Sequence, residues 1–273
     1  ALLKSMVIPP RPAILLQLEQ EQMREEPDFA AIAQLISSDL TLSAAVLKTV
    51  NSPFFNLKNR VSSVYQALQL LGLRNLGNIV RGVLLRQALS PEGEAKMERF
   101  WLNSLRVALV SAKLSERIHG MAADEAYTYG LFQDCGMPLM QARFSSYRAT
   151  LDKCEGVNLD KALEIEEQRH QTNHAVVGYL LGRTWFLPDH INLAILNHQH
   201  INIFDSPEDS HWHQVCSLIA VAGLAGHVVR KHFIQPPIRD WRLIEPVFLR
   251  HLGMERSEYE DLTDQINRFL DAV

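Results

Sequence analysis

The segment YGLFQDCGMPLM, residues 129–140, places one carboxylate in an otherwise apolar stretch of helical character. Asp134 follows Gly130 by four residues and Leu131 by three, so a helix would put it on the face that its apolar neighbours bury. A carboxylate on a buried face is costly unless a hydrogen bond, a proton or a metal ion compensates it. Which of the three compensates Asp134 decides whether this chain has the means for metal-dependent chemistry.

Three other polar residues lie on apolar helical stripes in the same way. Asn103 falls on the stripe of FWLNSLRVALVSAKL, His174 on that of HAVVGYLLGRTW, and His198 on that of HINLAILNHQH. Each of them alone is typical of a satisfied core amide or histidine. Because four separate helices each point one polar side chain inward, we expect these residues and Asp134 to converge on one pocket of a helical bundle.

The elements that must position these residues are helices. Apolar residues recur with a helical period almost throughout, and no segment shows the two-residue alternation of a half-buried strand. Ser63 and Gln66 have the spacing of a capping box, and Gly72 is a typical helix stop. The pattern predicts an all-α fold in three parts, which are an N-terminal helical lobe over 1–90, a larger helical lobe over 91–235 and a C-terminal helical extension over 236–273.

Composition narrows the class of protein. A chain of 273 residues with net charge −4 and 47% hydrophobic residues is typical of a soluble globular protein without a global attraction to nucleic acid or anionic membranes. Its three widely spaced cysteines, Cys135, Cys154 and Cys216, predict free thiols in a reducing compartment. The longest uncharged run, 215–229, is shorter than the roughly 20 residues of a membrane-spanning helix, and no signal peptide is visible. We therefore expect a cytoplasmic protein without a membrane partner.

The stretch NSPFFNLKNRVSSVYQALQLLGLRNLGNIV, residues 51–80, resembles the signature stretch of the HDOD family, the HD-related output domains of bacterial signalling proteins. The resemblance continues through the helical segments described above and covers residues 8–230. It implies an all-α fold in which an N-terminal helical lobe packs on a helical domain related to the HD phosphohydrolases.

Enzymes of the HD superfamily bind divalent metal ions through a histidine, a His-Asp doublet and a distal aspartate, often with further histidines between them. The resemblance assigns these positions, in chain order, to Asn103, the doublet Gln133-Asp134, the further histidines His174 and His198, and Gly223. Amide oxygens and a glycine are poor replacements for imidazole and carboxylate ligands. The resemblance thus implies a vestigial HD pocket, with no catalytic residue, no cofactor and no metal ion. We expect Asp134 to be a buried carboxylate that is satisfied first by hydrogen bonds, then by a proton, and last by a metal ion.

By resemblance the chain is a non-catalytic signal-transduction output module. Its expected partners are other signalling proteins, such as regulator or sensor domains, and its pocket could accept a small molecule of unknown identity. Two alternatives stay open. One is an HD-type metal-dependent phosphohydrolase with a reduced ligand set, and the other is a nucleic-acid-binding regulator that acts through residues 32–52.

The nucleic-acid alternative rests on a helix-turn-helix rhythm in residues 32–52. Its second helix offers Lys48 as the single cation, and Asp39 lies in the turn that would approach phosphates, so we do not expect nucleic acid as a partner. The histidine-rich segment 197–214 resembles a surface metal site in composition. Its i, i+2 histidine spacing suits a loop, and we interpret it as a solvated loop between helices.

Overall fold

The computed structural model describes residues 6–51, 57, 59–89, 95–205, 210–235 and 238–271. Across these ranges the regular structure is helical and contains no strand, which confirms the predicted all-α fold. The chain folds as two compact units. One consists of Pro10–Glu92 with Asn267–Val273, and the other of Gly93–Ile266 with Ala1–Pro9.

The described part of the smaller unit is built from four helices: α1 (Ala13–Gln22), α2 (Phe29–Ser37), α3 (Leu40–Val50) and the longer α4 (Val64–Leu89). The side chains of Asp28 and Asp39 cap α2 and α3 by accepting hydrogen bonds from backbone amides in the first turn of each helix. Gly72 interrupts α4 with a φ of 76°, as its expected role as a helix stop requires.

Two further expectations concern this unit. The backbone amide of Gln66 donates to Ser63 as in a capping box, but the Gln66 side chain accepts from the amide of Ser62 instead of that of Ser63. Helix α3 turns Leu42, Val46 and Val50 into the core of the unit. A helix with this buried face contributes packing, and the expectation that it does not bind nucleic acid stays a prediction.

The larger unit holds the remaining elements: α5 (Ala95–Ser115), α6 (Ala123–Phe132), α7 (Gly136–Arg143), α8 (Tyr147–Cys154), α9 (Leu159–His170), α10 (His174–Thr184), α11 (Asp189–Asn197), a short 3-10 helix (Ile201–Asp205), α12 (Ser210–His232), α13 (Trp241–Leu252) and the part of α14 (Arg256–Leu270) up to Ile266. Residues 238–266 belong to the same compact unit as the described residues between 95 and 235, and the three-part division of the chain stays a prediction.

Helix α12 is the central helix of the larger unit. It contacts α5, α6, α11 and α13, and every side chain from Val215 to Ala222 is buried. By length and composition its segment His211–His232 could cross a membrane, but 67% of its most apolar window is buried inside the unit. That burial is typical of a core helix, and the cytoplasmic location stays a prediction.

A close contact between α7 and α10 positions the candidate site. A side chain on Gly136 would overlap the carbonyl oxygen of His174, and its Cβ would lie 2.7 Å from the backbone nitrogen of Gly178. Glycine therefore lets the two helices approach more closely than any other residue would allow. Because Asp134 precedes α7 by two residues and His174 opens α10, this contact brings the two side chains to the same place.

Candidate functional site

Asp134, His174 and His198 form one cluster in the larger unit. The Nε2 atom of His198 lies 3.5 Å from Oδ1 of Asp134, and Nε2 of His174 lies 3.8 Å from the same oxygen. The two Nε2 atoms are 3.3 Å apart. Within the described ranges, this is the one group of three or more histidine, cysteine and carboxylate ligand atoms close enough to share a metal ion.

Each member of the cluster comes from the end of a different helix. Asp134 follows α6 by two residues, His174 is the first residue of α10, and His198 is the residue after α11. The Asn173 side chain caps α10 by accepting a hydrogen bond of 2.9 Å from the amide of Val176. This cap fixes the first turn of α10, from which the His174 ring projects.

Glu166 of α9 holds the His174 ring. Its carboxylate oxygens lie 2.9 and 3.0 Å from Nδ1 of His174, and one of them also accepts a hydrogen bond of 2.7 Å from the His174 backbone amide. The Tyr147 hydroxyl donates to the other oxygen at 3.1 Å. Glu166 and His174 are each 1% exposed, so this is a fully buried pair.

The sequence reasoning missed Glu166. The buried residues of α9 are Leu163, Glu166 and His170, which share one helical stripe. The surrounding stretch EIEEQRH is rich in charge and reads as a solvated face. The test that selected Asp134, a polar residue in register with apolar ones, is the signal that could have found Glu166.

The hydrogen bonds of the two rings determine which nitrogens carry protons. Nδ1 of His198 lies 2.8 Å from the carbonyl oxygen of Ile195, and Nδ1 of His174 faces the Glu166 carboxylate. Both partners are acceptors, so both Nδ1 atoms are donors. Each neutral ring therefore turns the lone pair of Nε2 toward the other ring and toward Asp134.

The charges of the cluster reinforce one another. Burial would lower the pKa of His174, but the hydrogen bond and charge of Glu166, together with the charge of Asp134, outweigh burial and raise that pKa. Burial would raise the pKa of Glu166, and its bonds to His174 and Tyr147 outweigh this and lower it. For Asp134, the two cluster histidines and Arg230 outweigh burial and lower the pKa. Both carboxylates are therefore ionised at neutral pH, and the cluster attracts positive charge.

The other predicted site residues lie near the cluster but have different contacts. Asn103 and Gln235 join their side-chain amides in a reciprocal pair, with N–O distances of 3.0 and 3.3 Å. A side chain on Gly223 would overlap the ring of Phe248 from α13. In the described ranges, the ion-pair contacts of the Asp134 side chain are with the two histidines. The Asp134 side chain is 32% exposed. Asp134 is thus less buried than the sequence predicts.

A cavity of about 270 Å³ opens beside the cluster. Its polar wall includes Asn103, Gln133, Asp134, His198 and Gln199, and Gly223 also lines it. Aromatic side chains line the apolar part, namely Phe100, Tyr129, Trp241 and Phe248, and Arg230 adds a cation. The structure thus brings the predicted residues other than His174 to the wall of one cavity, with His174 buried behind His198 and Asp134.

The histidines of the segment 197–214 lie in different surroundings. His198 belongs to the cluster, His200 pairs with Asp160 at 2.8 Å, and the His213 ring contacts the His251 ring at a tilt, with centroids 4.6 Å apart. Glu208 and Asp209 lie outside the described residues. The described histidines of this segment therefore do not assemble a second group of metal-ligating atoms.

The three cysteines are free thiols with unreactive surroundings. Cys135 and Cys216 are buried and Cys154 is half-buried. Burial raises the pKa of Cys154 and of Cys216 to about 11, and that of Cys135 further. Thiols with raised pKa are poor nucleophiles at neutral pH, so these side chains serve packing.

Residues 8–201 match the family model of the HDOD domain, which is well over half of the chain. The chain belongs to the HDOD family. The match includes helices α1–α11. It also includes the three cluster residues, Asp134, His174 and His198, and Glu166 behind them.

Solved structures share the HDOD fold. An HDOD domain protein with unknown function from Geobacter sulfurreducens has a TM-score of 0.74 and 22% identity, and the alignment covers 97% of this chain and 90% of that one. A "Putative phosphohydrolase" from Shewanella amazonensis SB2B has a TM-score of 0.72 and 20% identity over 100% and 97% of the two chains. A "Putative signal transduction protein" from Marinobacter aquaeolei VT8 has a TM-score of 0.68 and 18% identity over 97% and 58%. At identities this low, the structural similarity shows a common fold.

The chain spans less than half the length of the curated relatives it matches. It is 24% identical over 221 residues to a protein from Treponema pallidum (strain Nichols), covering 80% of this chain and 42% of that protein. It is 29% identical over 100 residues to the protein YuxH from Bacillus subtilis (strain 168), covering 37% and 23%.

The relation of HDOD proteins to HD phosphohydrolases implies a divalent metal ion, and the donor set of the cluster tests whether one fits. Two imidazole nitrogens bound to one tetrahedral zinc ion at about 2.0–2.1 Å would lie about 3.3 Å apart. The Nε2 atoms of His174 and His198 are separated by this distance. A single cation therefore fits His174, His198 and Asp134, and it would supply Lewis-acid chemistry to a bound ligand.

Proposed function

We propose that this HDOD chain is a non-catalytic signal-transduction module that acts through contacts with other signalling proteins. In this proposal its His–Asp cluster binds a ligand without turning it over. Membership of the HDOD family supports the signalling role, as does the fold shared with the Marinobacter protein named for signal transduction.

The observation that carries the non-catalytic part is the contact between Phe248 and Gly223. The Phe248 ring is 3% exposed and lies where a side chain on residue 223 would project. Residue 223 corresponds by resemblance to the distal aspartate of HD enzymes. An aspartate here would have to displace a buried aromatic ring, so the position now serves core packing between α12 and α13.

The groups available for proton transfer support the same conclusion. Among the described residues that line the cavity, Asp134 is the one carboxylate and His198 the one imidazole. Both belong to the cluster. Once they hold a cation, the described lining offers no further carboxylate or imidazole to protonate a leaving group. The Tyr129 hydroxyl also lines the cavity, but burial and the charge of Asp134 raise its pKa, which makes it a weak general acid.

Turnover by the metal-loaded protein tests this proposal. The purified chain is loaded separately with Mn²⁺, Fe²⁺, Co²⁺ and Zn²⁺ and assayed with bis(p-nitrophenyl) phosphate and nucleoside monophosphates. We expect product release no faster than with the Asp134→Ala variant under the same conditions. Metal-dependent hydrolysis that Asp134→Ala and His174→Ala both abolish would contradict the non-catalytic role.

The signalling role has its own test. Regulator or sensor proteins recovered from the native host by cross-linking are purified and mixed with the purified chain. We expect at least one of them to form a complex of defined stoichiometry, with no turnover of phosphoesters. If none of the recovered proteins rebinds, the scaffold function is wrong even where the cluster behaves as proposed.

A second candidate function is metal-dependent phosphoester hydrolysis with a reduced ligand set. Two histidines and one carboxylate form the three-ligand pattern of several catalytic zinc sites, which leave one position for water. Arg230 in the cavity would complement a phosphate. The turnover assay separates the two candidates, since the second one requires hydrolysis that depends on the cluster.

A further inference from the structure

We propose that Glu166 is a positioning residue, which holds Nδ1 of His174. Through this contact the cluster of His174, His198 and Asp134 becomes a site for one divalent transition-metal ion, in preference to Mg²⁺ or Ca²⁺. The proposal concerns the contents of the cluster and holds whether or not the chain hydrolyses phosphoesters. It adds to the family relation a residue that the HD pattern does not include and a class of cation that the ligand atoms select.

Both carboxylate oxygens of Glu166 are engaged by neighbouring donors, so Glu166 serves to orient a neighbour. One oxygen accepts from the His174 amide at 2.7 Å, the other accepts from Tyr147 at 3.1 Å, and both lie within 3.0 Å of Nδ1 of His174. The carboxylate is 1% exposed. A buried carboxylate whose two oxygens are both occupied in this way fixes the ring it faces, as carboxylates behind metal-bound histidines do.

The position of the proton on His174 follows from this contact. An ionised carboxylate only accepts hydrogen bonds, so Nδ1 carries the hydrogen and Nε2 carries the lone pair. The Ile195 carbonyl imposes the same arrangement on His198 at 2.8 Å. Two lone pairs and one carboxylate oxygen therefore face a common point, which is the arrangement that a metal ion requires of its ligands.

The side chain of Gln199 pairs with the two ring nitrogens but leaves its own oxygen unpaired. Its side-chain nitrogen lies 3.0 Å from Nε2 of His174 and 3.3 Å from Nε2 of His198, so it can donate to both rings. Its own Oε1 is buried and has no hydrogen-bond partner in the described ranges, and the residue is 8% exposed. A buried acceptor without a partner costs free energy, and Gln199 lines the same cavity as the ionised Asp134, so a cation bound there would meet oxygen atoms from both residues' side of the wall.

The ligand atoms select the class of cation. Imidazole nitrogens suit zinc, iron, cobalt, nickel and copper, whereas Mg²⁺ and Ca²⁺ take sets of six or more oxygen ligands. The cluster offers two nitrogens and one carboxylate oxygen. The Nε2–Nε2 distance of 3.3 Å also matches a small tetrahedral ion.

Metal stoichiometry and affinity test the proposal on the full chain. Elemental analysis and competition titration with Zn²⁺ and Co²⁺ should give one ion per wild-type chain, unaffected by millimolar Mg²⁺. Glu166→Gln should weaken affinity by about 10–100-fold, the usual effect of removing such an orienting partner. The matched control is Glu164→Gln on the same helix, since Glu164 is 55% exposed and pairs with Lys161 on the surface.

A second measurement keeps the test decisive if Glu166→Gln does not fold. Because Glu166 raises the pKa of His174, nitrogen-15 NMR of the metal-free wild-type chain is recorded in alkaline buffer above that pKa, where it should show the ring protonated on Nδ1 and unprotonated on Nε2. Wild-type protein that binds no transition metal, binds Mg²⁺ equally well, or carries its His174 proton on Nε2 would overturn the proposal, as would unchanged affinity in folded Glu166→Gln. A chain that binds metal and also hydrolyses phosphoesters would refute the proposed function and leave this inference intact.

Discussion

The Nε2 atoms of His174 and His198 face each other at 3.3 Å, while each ring is tied through Nδ1 to an acceptor behind it. In neutral rings this arrangement directs two lone pairs at each other and at the Asp134 carboxylate. Like-signed partial charges at this distance repel, and the Gln199 amide compensates them only in part, so the folded unit gains when a full positive charge enters the cluster. The stability of the larger unit is thereby linked to what the cluster contains.

Metal binding should stabilise the fold measurably. A ligand present at 100 times its Kd stabilises the native state by about 2.7 kcal/mol. We expect saturating Zn²⁺ to raise the melting temperature in differential scanning calorimetry, and EDTA to reverse the shift. His198→Ala should melt at the same temperature with and without Zn²⁺, and an equal Zn²⁺ shift in this variant would show that the ion binds elsewhere.

Gly223 and Gly226 form a matched pair on α12. A Cβ on Gly223 would overlap the Phe248 ring, whereas a Cβ on Gly226 meets nothing within 4 Å. Overpacking typically costs about 1–3 kcal/mol, and glycine-to-alanine in a helix interior typically gains about 0.5–1 kcal/mol. Chemical denaturation should therefore show that Gly223→Ala lowers the free energy of unfolding and that Gly226→Ala leaves it equal or higher. A Gly223→Ala protein as stable as the wild type would mean that the distal ligand position is open, against the non-catalytic proposal.

The Tyr147 hydroxyl should contribute to stability through Glu166. Its hydrogen bond to this buried carboxylate is 3.1 Å long, and hydrogen bonds to charged groups contribute about 1.5–3 kcal/mol. We expect Tyr147→Phe to lower the free energy of unfolding by an amount in this range, measured by urea denaturation. Tyr65→Phe is the control, because Tyr65 is exposed on the other unit. Equal stability of the two variants would contradict the role assigned to the hydroxyl.

His227 should make the larger unit less stable in mild acid. Its ring stacks on Trp241 at 4.2 Å, and burial lowers its pKa against the opposing charge of Glu245, with Lys231 and Arg230 lowering it further. The unfolded chain therefore takes up this proton at a higher pH than the folded chain does. The free energy of unfolding consequently falls as the pH decreases through about 6.5, until the pH is below the folded pKa.

Denaturation across pH 5.5–7.5, a range of about two units around the usual histidine pKa, checks this effect. His227→Phe retains a ring for stacking but does not titrate, so its stability should fall less steeply with decreasing pH than that of the wild type. His119→Gln, at an exposed histidine, should keep the wild-type slope. A wild-type slope in His227→Phe would assign the acid sensitivity to other groups.

The sequence is sufficient to predict the helices and the faces that four of its polar residues share with apolar ones. Helical periodicity is local, so it marks Asp134, His174 and His198 as inward-facing without any knowledge of the packing, but Asp134 and His198 lie just beyond the ends of α6 and α11 and not within a helix. The same periodicity includes Glu166, whose register with Leu163 and His170 is hidden by the charged residues beside it.

The contacts that decide the chemistry are distant in sequence and cannot be derived from periodicity. Asn103 pairs with Gln235, which is 132 residues away, and Phe248 covers Gly223 from another helix. Whether an amide faces a cation or another amide depends on these contacts. The ring orientations are equally inaccessible, because they are fixed by the Glu166 carboxylate and the Ile195 carbonyl.

Anomalous diffraction at the zinc edge, from crystals of the full chain grown with Zn²⁺, tests most directly whether the cluster is a one-cation centre positioned by Glu166. We predict one peak per chain, bound to Nε2 of His174, Nε2 of His198 and a carboxylate oxygen of Asp134, with Glu166 still on Nδ1 of His174. Absence of a peak there, a second metal ion beside it, or a Glu166 carboxylate bound directly to the metal would contradict the account.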